Sequence, residues 1–156
     1  MKIISHRGNI NGPVPRLENK PVYIDDAIRT GYDVEVDLWY VSGRYLLGHD
    51  TPDYEVGLQW LLSRNQDLWV HCKNLQASQQ LVNRDIRYFC HTSDPYTIVS
   101  PKHLWVHDLD LALDTTCVIP LMTMEDLDSF DFTNKIYGVC TDYPNHIRNF
   151  SGGVRA

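Results

Sequence analysis

Two carboxylates on one predicted strand are the feature of this sequence most suggestive of chemistry. Glu35 and Asp37 are separated by a single residue in the run DVEVDL (33–38). Because side chains alternate along a strand, both carboxylates point to the same face. Two like charges side by side repel, and burying them is costly unless a hard cation such as Mg²⁺ or Ca²⁺ binds between them. The pattern predicts a divalent-metal site, with an exposed polar strand face as the alternative.

The predicted strand WVHCK (69–73) carries a second pair of polar side chains. His71 and Lys73 share one face of this strand, and Cys72 takes the other. The first predicted strand of the chain ends at His6. Active sites of β/α barrels lie at the C-terminal ends of the strands, so we expect these side chains to converge with the two carboxylates.

A predicted hairpin returns a second histidine to the same place. Ser42-Gly43-Arg44 is a turn signal between two β-prone arms. Reflection about residue 43 places His49 opposite Asp37. His6 and His49 would then flank one small volume beside the carboxylates. Either histidine alone is more often a structural residue of the core, and the convergence of the two favours a functional role.

These residue types suit phosphoryl transfer. A divalent metal together with the cations Arg7 and Lys73 stabilises an anion that gains charge during a reaction. Two histidines act in turn as general base and general acid because their pKa lies near neutral pH. The motifs GxSxG, GxxxxGK[ST] and GxGxxG do not occur, which argues against a serine hydrolase, a P-loop NTPase and a dinucleotide-binding oxidoreductase. A phosphodiester hydrolase is the reaction class that remains.

Short apolar runs rich in β-branched and aromatic residues alternate with helical patterns along the chain, which favours βα units and a parallel sheet. Strands are predicted at 2–6, 33–38, 69–73, 87–91, 104–107, 117–120 and 136–140. Helices are predicted at about 22–30, 55–64, 75–83, 124–130 and 144–149.

The length of the chain limits how complete a barrel can be. A (β/α)8 barrel usually needs about 250 residues, with about 200 as a practical floor, and this chain has 156. Only Pro101-Lys102-His103 separates TIVS from LWVH, too few residues for a parallel crossover, so an antiparallel hairpin is expected there. We predict one α/β domain over residues 1–156: a compact, trimmed TIM-type β/α barrel of seven or eight mainly parallel strands.

Composition narrows the expected partners and compartment. The 14 Lys and Arg against 20 Asp and Glu give a formal net charge of −6, so nucleic acid is not an expected partner. No apolar run approaches a membrane span, and the N-terminal residues lack a signal-peptide pattern. The 4 cysteines lie in apolar segments, which predicts buried thiols and a cytoplasmic location. Gly152 and Gly153 mark an expected frayed end.

Several motifs, in order, resemble a known family. IISHRGN (3–9), LENK (17–20) and DAIRTGYDVEVDLWYVSGRYLLGHD (26–50) resemble the glycerophosphodiester phosphodiesterases of the phospholipase-C-like phosphodiesterase superfamily. The pattern of that family is HRG, EN, a helix ending in G-x-D, then E-x-D and HD. WVHCKN and GVCTDYP are weaker matches to its third-strand E-x-K and its closing G-x-x-TD-x-P. The chain would be an unusually short member.

The resemblance implies a metal-dependent barrel that cleaves glycerophosphodiesters to glycerol 3-phosphate and an alcohol, a reaction of lipid metabolism. His6 and His49 match the general acid/base pair of the family, and Glu35 and Asp37 match its metal ligands. His71 stands where the family has a third carboxylate. The expected cofactor is Mg²⁺ or Ca²⁺, with Mn²⁺ or Zn²⁺ as alternatives because imidazole suits those ions better.

The same resemblance implies how a substrate is held. Arg7 and Lys73 match the phosphate contacts, and Glu18 and Asn19 match the polar pair that shapes the pocket. In the family a neighbouring hydroxyl of the substrate can attack phosphorus to give a cyclic phosphate, so no protein nucleophile is needed. The expected partner is a small-molecule phosphodiester. Two alternatives stay open: a non-catalytic barrel that binds a sugar or polyol phosphate, and a different metal-dependent phosphohydrolase.

Overall fold

One curled sheet is the framework of the protein. The computed structural model describes residues 1–151, so the end expected to fray at Gly152 and Gly153 lies outside the described residues. The sheet contains the strands β1 (Lys2–His6), β2 (Asp33–Val41), β3 (Arg44–Leu47), β4 (Tyr54–Val56), β5 (Leu68–Cys72), β6 (Arg87–Phe89), β7 (Tyr96–Val99), β8 (His103–Val106), β9 (Cys117–Pro120) and β10 (Gly138–Thr141). The helices within residues 1–151 are α1 (Pro21–Arg29), α2 (Leu58–Leu62), α3 (Leu75–Leu81), α4 (Met124–Ser129) and α5 (Pro144–Ser151).

Strand β2 is the branching point of the sheet. It pairs in parallel with β1 on one side and with β5 on the other, and its C-terminal part pairs antiparallel with β3. From β5 the sheet continues to β6, and from β1 it continues through β10, β9 and β8 to β7. The two ends of the curl, β6 and β7, touch through an isolated bridge between Tyr88 and Ser100.

The predicted TIM-type barrel of mainly parallel strands is wrong. The structure is a curled half-barrel whose sheet is mixed, with antiparallel pairing between β2 and β3, β3 and β4, and β7 and β8. The helices described in residues 1–151 have five to nine residues, too little to build the outer helical ring of such a barrel. The physical reason is the length of the connections, since residues 100–102 between β7 and β8 have room for a turn but not for a helix.

The hairpin expected between TIVS and LWVH is confirmed. Strands β7 and β8 pair antiparallel, with Val99 opposite His103.

None of the helices in residues 1–151 has the length and apolarity that a bilayer crossing requires.

The hairpin of β2 and β3 is also confirmed, with a register that differs from the prediction by one residue. Asp37 aligns with Gly48, whose N–H donates to the Asp37 carbonyl at 3.1 Å, so His49 lies one residue further on. Ser42 and Gly43 have φ of 51° and 75°. Positive φ at both positions is the mark of a two-residue type I′ turn, which is centred between the two residues and not on Gly43.

Alternation along the strands decides which side chains face the helices. Val34 and Val36 of β2 pack against Ile24 of α1 and Leu61 of α2. The intervening Glu35 therefore points to the opposite face of the sheet. Apolar side chains from seven strands form a second layer of the core, made of Ile4, Trp69, Phe89, Val99, Trp105, Val118 and Cys140.

Candidate functional site

The parallel strands β1, β2 and β5 end at one edge of the sheet, where most of the predicted chemistry lies. Glu35 is in register with His6, the last residue of β1. Asp37 is in register with His71 on β5. Residues paired across neighbouring strands point to the same face, so these four side chains converge.

Asp37 is the centre of the site. Its carboxylate is buried; Oδ2 lies 2.9 Å from Nε of Arg7 and 2.9 Å from Nδ2 of Asn19, and Oδ1 lies 3.1 Å from Nδ1 of His71. Burial acts to raise the pKa of this carboxyl. The hydrogen bond with His71 and the charge of Arg7 outweigh burial and hold the pKa of Asp37 well below its usual value. Asp37 is therefore ionised at neutral pH.

Glu35, two residues away, is in a different state. Its side chain is buried, and its Oε2 atom has no hydrogen-bond partner among the described residues. The nearest histidine nitrogens lie beyond hydrogen-bond distance: Nε2 of His6 is 3.8 Å from Oε2, and Nδ1 of His71 is 3.9 Å from Oε1. Burial, reinforced by the charge of Asp37, raises the pKa of Glu35 to about 7. A buried carboxyl oxygen without a partner needs an explanation, and a bound ion is one.

His71 is held in an orientation that suits a metal ligand. Its Nε2 lies 3.3 Å from the carbonyl oxygen of His91, which only accepts, so Nε2 carries a proton. Its ring stacks on Phe89 with centroids 5.0 Å apart. Nδ1 therefore faces the carboxylates. One donor atom each from Glu35, Asp37 and His71 lies within 4.8 Å of the other two, a spacing that suits ligands of a single small cation.

His6 is oriented by a carboxylate from the far end of the chain. Its Nδ1 lies 2.8 Å from Oδ1 of Asp142, and the same oxygen accepts a hydrogen bond from Nδ2 of Asn9 at 2.8 Å. Nδ1 thus carries the proton, and Nε2 faces Glu35. Burial lowers the pKa of His6, but the hydrogen bond to Asp142 and the charge of Glu35 outweigh burial, so the pKa is raised.

His49 has the opposite electrostatic environment. Its Nδ1 lies 2.8 Å from Nη2 of Arg7 and 3.4 Å from Nζ of Lys73, and both cations can only donate, so Nδ1 is an acceptor. Burial, followed by the charge of Arg7, lowers the pKa of His49. Its side chain is 42% exposed and lies 3.7 Å from Oδ2 of Asp37. Of the two imidazoles that flank the carboxylates, His6 therefore favours the charged form and His49 favours the neutral form.

The loop between β1 and α1 fixes the remaining groups. Arg7 and Asn19 have φ of 56° and 62°, a left-handed conformation that is uncommon outside glycine. Asn19 donates its N–H to the Arg7 carbonyl at 3.1 Å, and its side-chain Oδ1 accepts the N–H of Asp37 at 3.0 Å. Glu18 accepts from Nη1 of Arg7 at 3.3 Å and from Nδ2 of Asn9 at 2.9 Å. Such backbone conformations, held by surrounding bonds, are frequent at functional sites.

All of the residues selected from the sequence lie in one continuous network of contacts at this edge. Lys73 joins the network through Nδ1 of His49, which lies 3.4 Å from its Nζ, and this Nζ lies 4.0 Å from Oδ1 of Asp37. The network contains His6, Arg7, Glu18, Asn19, Glu35, Asp37, His49, His71 and Lys73.

Two residues with a place in this network have no assigned role in the sequence analysis. Asp142 directly follows β10, which pairs in parallel with β1; its place in GVCTDYP was the available signal. Asn9 is fully buried and joins Glu18 to Asp142. Its place directly after His6-Arg7-Gly8 is typical of a turn, so nothing in the sequence distinguishes it from an exposed loop residue.

No protein-family model, curated protein or solved structure matches this chain. The motif resemblance therefore remains a resemblance. What defines the molecule is a curled mixed sheet with imidazoles, carboxylates and cations grouped at the C-terminal edge of three parallel strands.

Proposed function

We propose that this protein is a divalent-metal-dependent phosphodiesterase that hydrolyses a small glycerophosphodiester to glycerol 3-phosphate and an alcohol. The observation that carries the proposal is the convergence of the Glu35, Asp37 and His71 donors with two flanking imidazoles, those of His6 and His49. Simple binding of an anion does not require an acid/base pair beside a cluster of carboxylates.

The buried donors fit a small divalent cation. Glu35 has an unpaired carboxyl oxygen. The carbonyl of His91 holds Nε2 of His71 so that Nδ1 faces Asp37, and a bound cation would take the place of the Nδ1 proton that Asp37 accepts in the ion-free protein. Backbone carbonyls commonly orient metal-binding histidines in this way. A set of two carboxylates and one imidazole suits Mn²⁺ or Zn²⁺ better than Mg²⁺ or Ca²⁺. When bound, such an ion would supply Lewis-acid stabilisation of the phosphate oxygens.

Arg7 and Lys73 are the residues that can hold the phosphodiester. Arg7 reaches over Asp37 toward His49, and Nζ of Lys73 lies 3.4 Å from the same imidazole. Both side chains are largely shielded from solvent, with 16% and 18% exposed. Partial burial strengthens their attraction for a phosphate, because water screens the charges less.

His6 and His49 perform the proton transfers. Asp142 holds the Nδ1 proton of His6, so Nε2 is the atom that exchanges a proton with the substrate. The pair removes the proton of an attacking hydroxyl and donates a proton to the departing alcohol oxygen. The attacking hydroxyl belongs to water, or to the glyceryl group of the substrate, in which case water opens the resulting cyclic phosphate to glycerol 3-phosphate in a second step. No side-chain nucleophile takes part.

The test is hydrolysis of glycerophosphocholine and of bis(p-nitrophenyl) phosphate by the purified protein, with Mg²⁺, Ca²⁺, Mn²⁺ and Zn²⁺ compared. Activity with a divalent metal, lost on chelation and in both His6→Ala and His49→Ala, is the expected result. His146→Ala is the matched control, because that imidazole contacts Asp128 on α4, outside the site. Saturable binding of glycerol 3-phosphate, without hydrolysis of either substrate in the presence of any of the four metals, would overturn the proposed enzymatic activity. It would favour a polyol-phosphate-binding protein.

A further inference from the structure

Two cysteines lie side by side where β5 and β6 end. The ladder pairs Val70 with Tyr88 and His71 with Phe89. One residue further along both chains, this register brings Cys72 opposite Cys90. Neighbouring strands are about 4.8 Å apart, within the range of Cα separations that a disulfide spans without backbone movement. The two side chains also point to the same face, the one opposite His71.

The two thiols differ in access. Cys72 is buried, whereas Cys90 is exposed, contrary to the expectation that all four thiols are buried. The difference arises because Cys90 comes directly after β6, a strand of only three residues. Oγ of Ser78 lies 2.8 Å from Sγ of Cys90. A small disulfide in solution can therefore reach Cys90 but not the buried Cys72.

We infer that Cys72 and Cys90 form a reversible redox pair that a small disulfide such as glutathione disulfide oxidises. The sulfur of Cys90 attacks one sulfur of glutathione disulfide, which forms a mixed disulfide and releases one glutathione. The sulfur of Cys72 then attacks the Cys90 sulfur, which forms the protein disulfide and releases the second glutathione. The protons of the two protein thiols end on the two glutathione molecules. The protein is oxidised by two electrons and glutathione disulfide is reduced.

The assignment follows from the in-register pair and its unequal exposure. An accessible thiol beside a buried one is the arrangement in which the first attacks a disulfide from solution and the second resolves the mixed disulfide. The remaining cysteines, Cys117 and Cys140, are both buried and lie on β9 and β10. The inference does not depend on the proposed phosphodiesterase activity, because the thiols face away from the carboxylates.

The experiment is oxidation of the folded, metal-free protein with glutathione disulfide, followed by intact mass and a peptide map without reductant. The expected product is lighter by two hydrogen atoms and carries one cross-link, between the peptides of Cys72 and Cys90, which dithiothreitol reverses. The Cys72→Ser variant should stop at the first step and retain one glutathione on Cys90. Cys117→Ala, which leaves the pair intact, should form the same cross-link as the unmodified protein.

Three results would overturn the inference. One is a persistent glutathione adduct on Cys90 of the unmodified protein without the loss of two hydrogens. Another is a cross-link that survives in Cys90→Ser. The third is absence of any reaction in a protein whose circular dichroism shows that it is folded. Phosphodiesterase activity is not a readout in this design, so its absence leaves these outcomes unchanged.

Discussion

Replacing Glu35 with glutamine should separate the stability of the fold from the proposed function of the site. Glu35 is buried and its Oε2 is unpaired. Glutamine keeps the shape of the side chain and removes the charge that burial disfavours. In the metal-free protein, Glu35→Gln is therefore expected to increase the free energy of unfolding at alkaline pH.

The size of the effect follows from linkage. The pKa of Glu35 is raised from 4.5 in the unfolded chain to about 7 in the folded protein. The folded state thus binds this proton more tightly, and the stability contributed by the protonated carboxyl is fully present below the unfolded pKa and is lost as the pH rises through about 7. At about 1.4 kcal/mol per pKa unit, the loss reaches about 3 kcal/mol at pH 8 and stays below about 1 kcal/mol at pH 5. Glutamine does not titrate, so the variant keeps this stability.

A bound metal should remove most of the difference in stability between the two proteins at pH 8. If Glu35 is a ligand, a divalent ion at a free concentration of about 100 times its Kd stabilises the folded, unmodified protein by about 2.7 kcal/mol. Glu35→Gln removes one charged donor and should lose most of this stabilisation. The variant is then the more stable protein in chelator and the less responsive one in Mn²⁺.

The assay is urea unfolding followed by circular dichroism at pH 5 and pH 8, in chelator and in Mn²⁺. Glu125→Gln is the control, because that side chain is exposed on α4. A Glu35→Gln variant no more stable than the unmodified protein at pH 8, or one whose gain is equally large at pH 5, would refute the electrostatic reasoning. Equal stabilisation of both proteins by Mn²⁺ would refute the ligand assignment alone.

Substitutions at three further residues test the neighbouring groups. Asp142→Asn removes the carboxylate that orients His6, and kcat on bis(p-nitrophenyl) phosphate should fall about 100-fold or more with circular dichroism unchanged. Asn19→Ala loses two hydrogen bonds to Asp37 at a residue with φ of 62°. Urea unfolding should show that the free energy of unfolding falls by about 2–4 kcal/mol. Asn19→Gly should restore about 1 kcal/mol of this loss because glycine accepts positive φ. Lys73→Met should weaken inhibition by inorganic phosphate about tenfold without changing the unfolding midpoint, since Lys73 is only loosely paired.

The positions of most strands and helices could be predicted because local patterns determine them. The alternation of Val34, Glu35 and Val36 gives the two faces of β2, and the short link after Val99 requires a hairpin. The closure of the sheet depends instead on how distant strands meet and on whether connections are long enough for helices. That information is not local, and the barrel predicted from alternation and resemblance was wrong for this reason.

The candidate site could be located from the sequence because strand parity places Glu35 and Asp37 together on one face. The register of the β2–β3 hairpin was wrong by one residue, because positive φ at both Ser42 and Gly43 makes a two-residue turn. His49 nevertheless approaches the site, since its side chain reaches back toward Asp37. The contact of His6 with Asp142 depends on tertiary structure, and the weak motif match GVCTDYP was its one signal in the sequence.

His6 and Asp142 are 136 residues apart in the chain and 2.8 Å apart in the fold. They meet because β1 and β10 are neighbours in the sheet. During translation the imidazole is synthesised first, and the carboxylate that orients it follows 136 residues later. A growing polypeptide therefore carries an incompletely oriented His6 until residue 142 has been synthesised, and the pairing of β10 with β1 then brings the two side chains together.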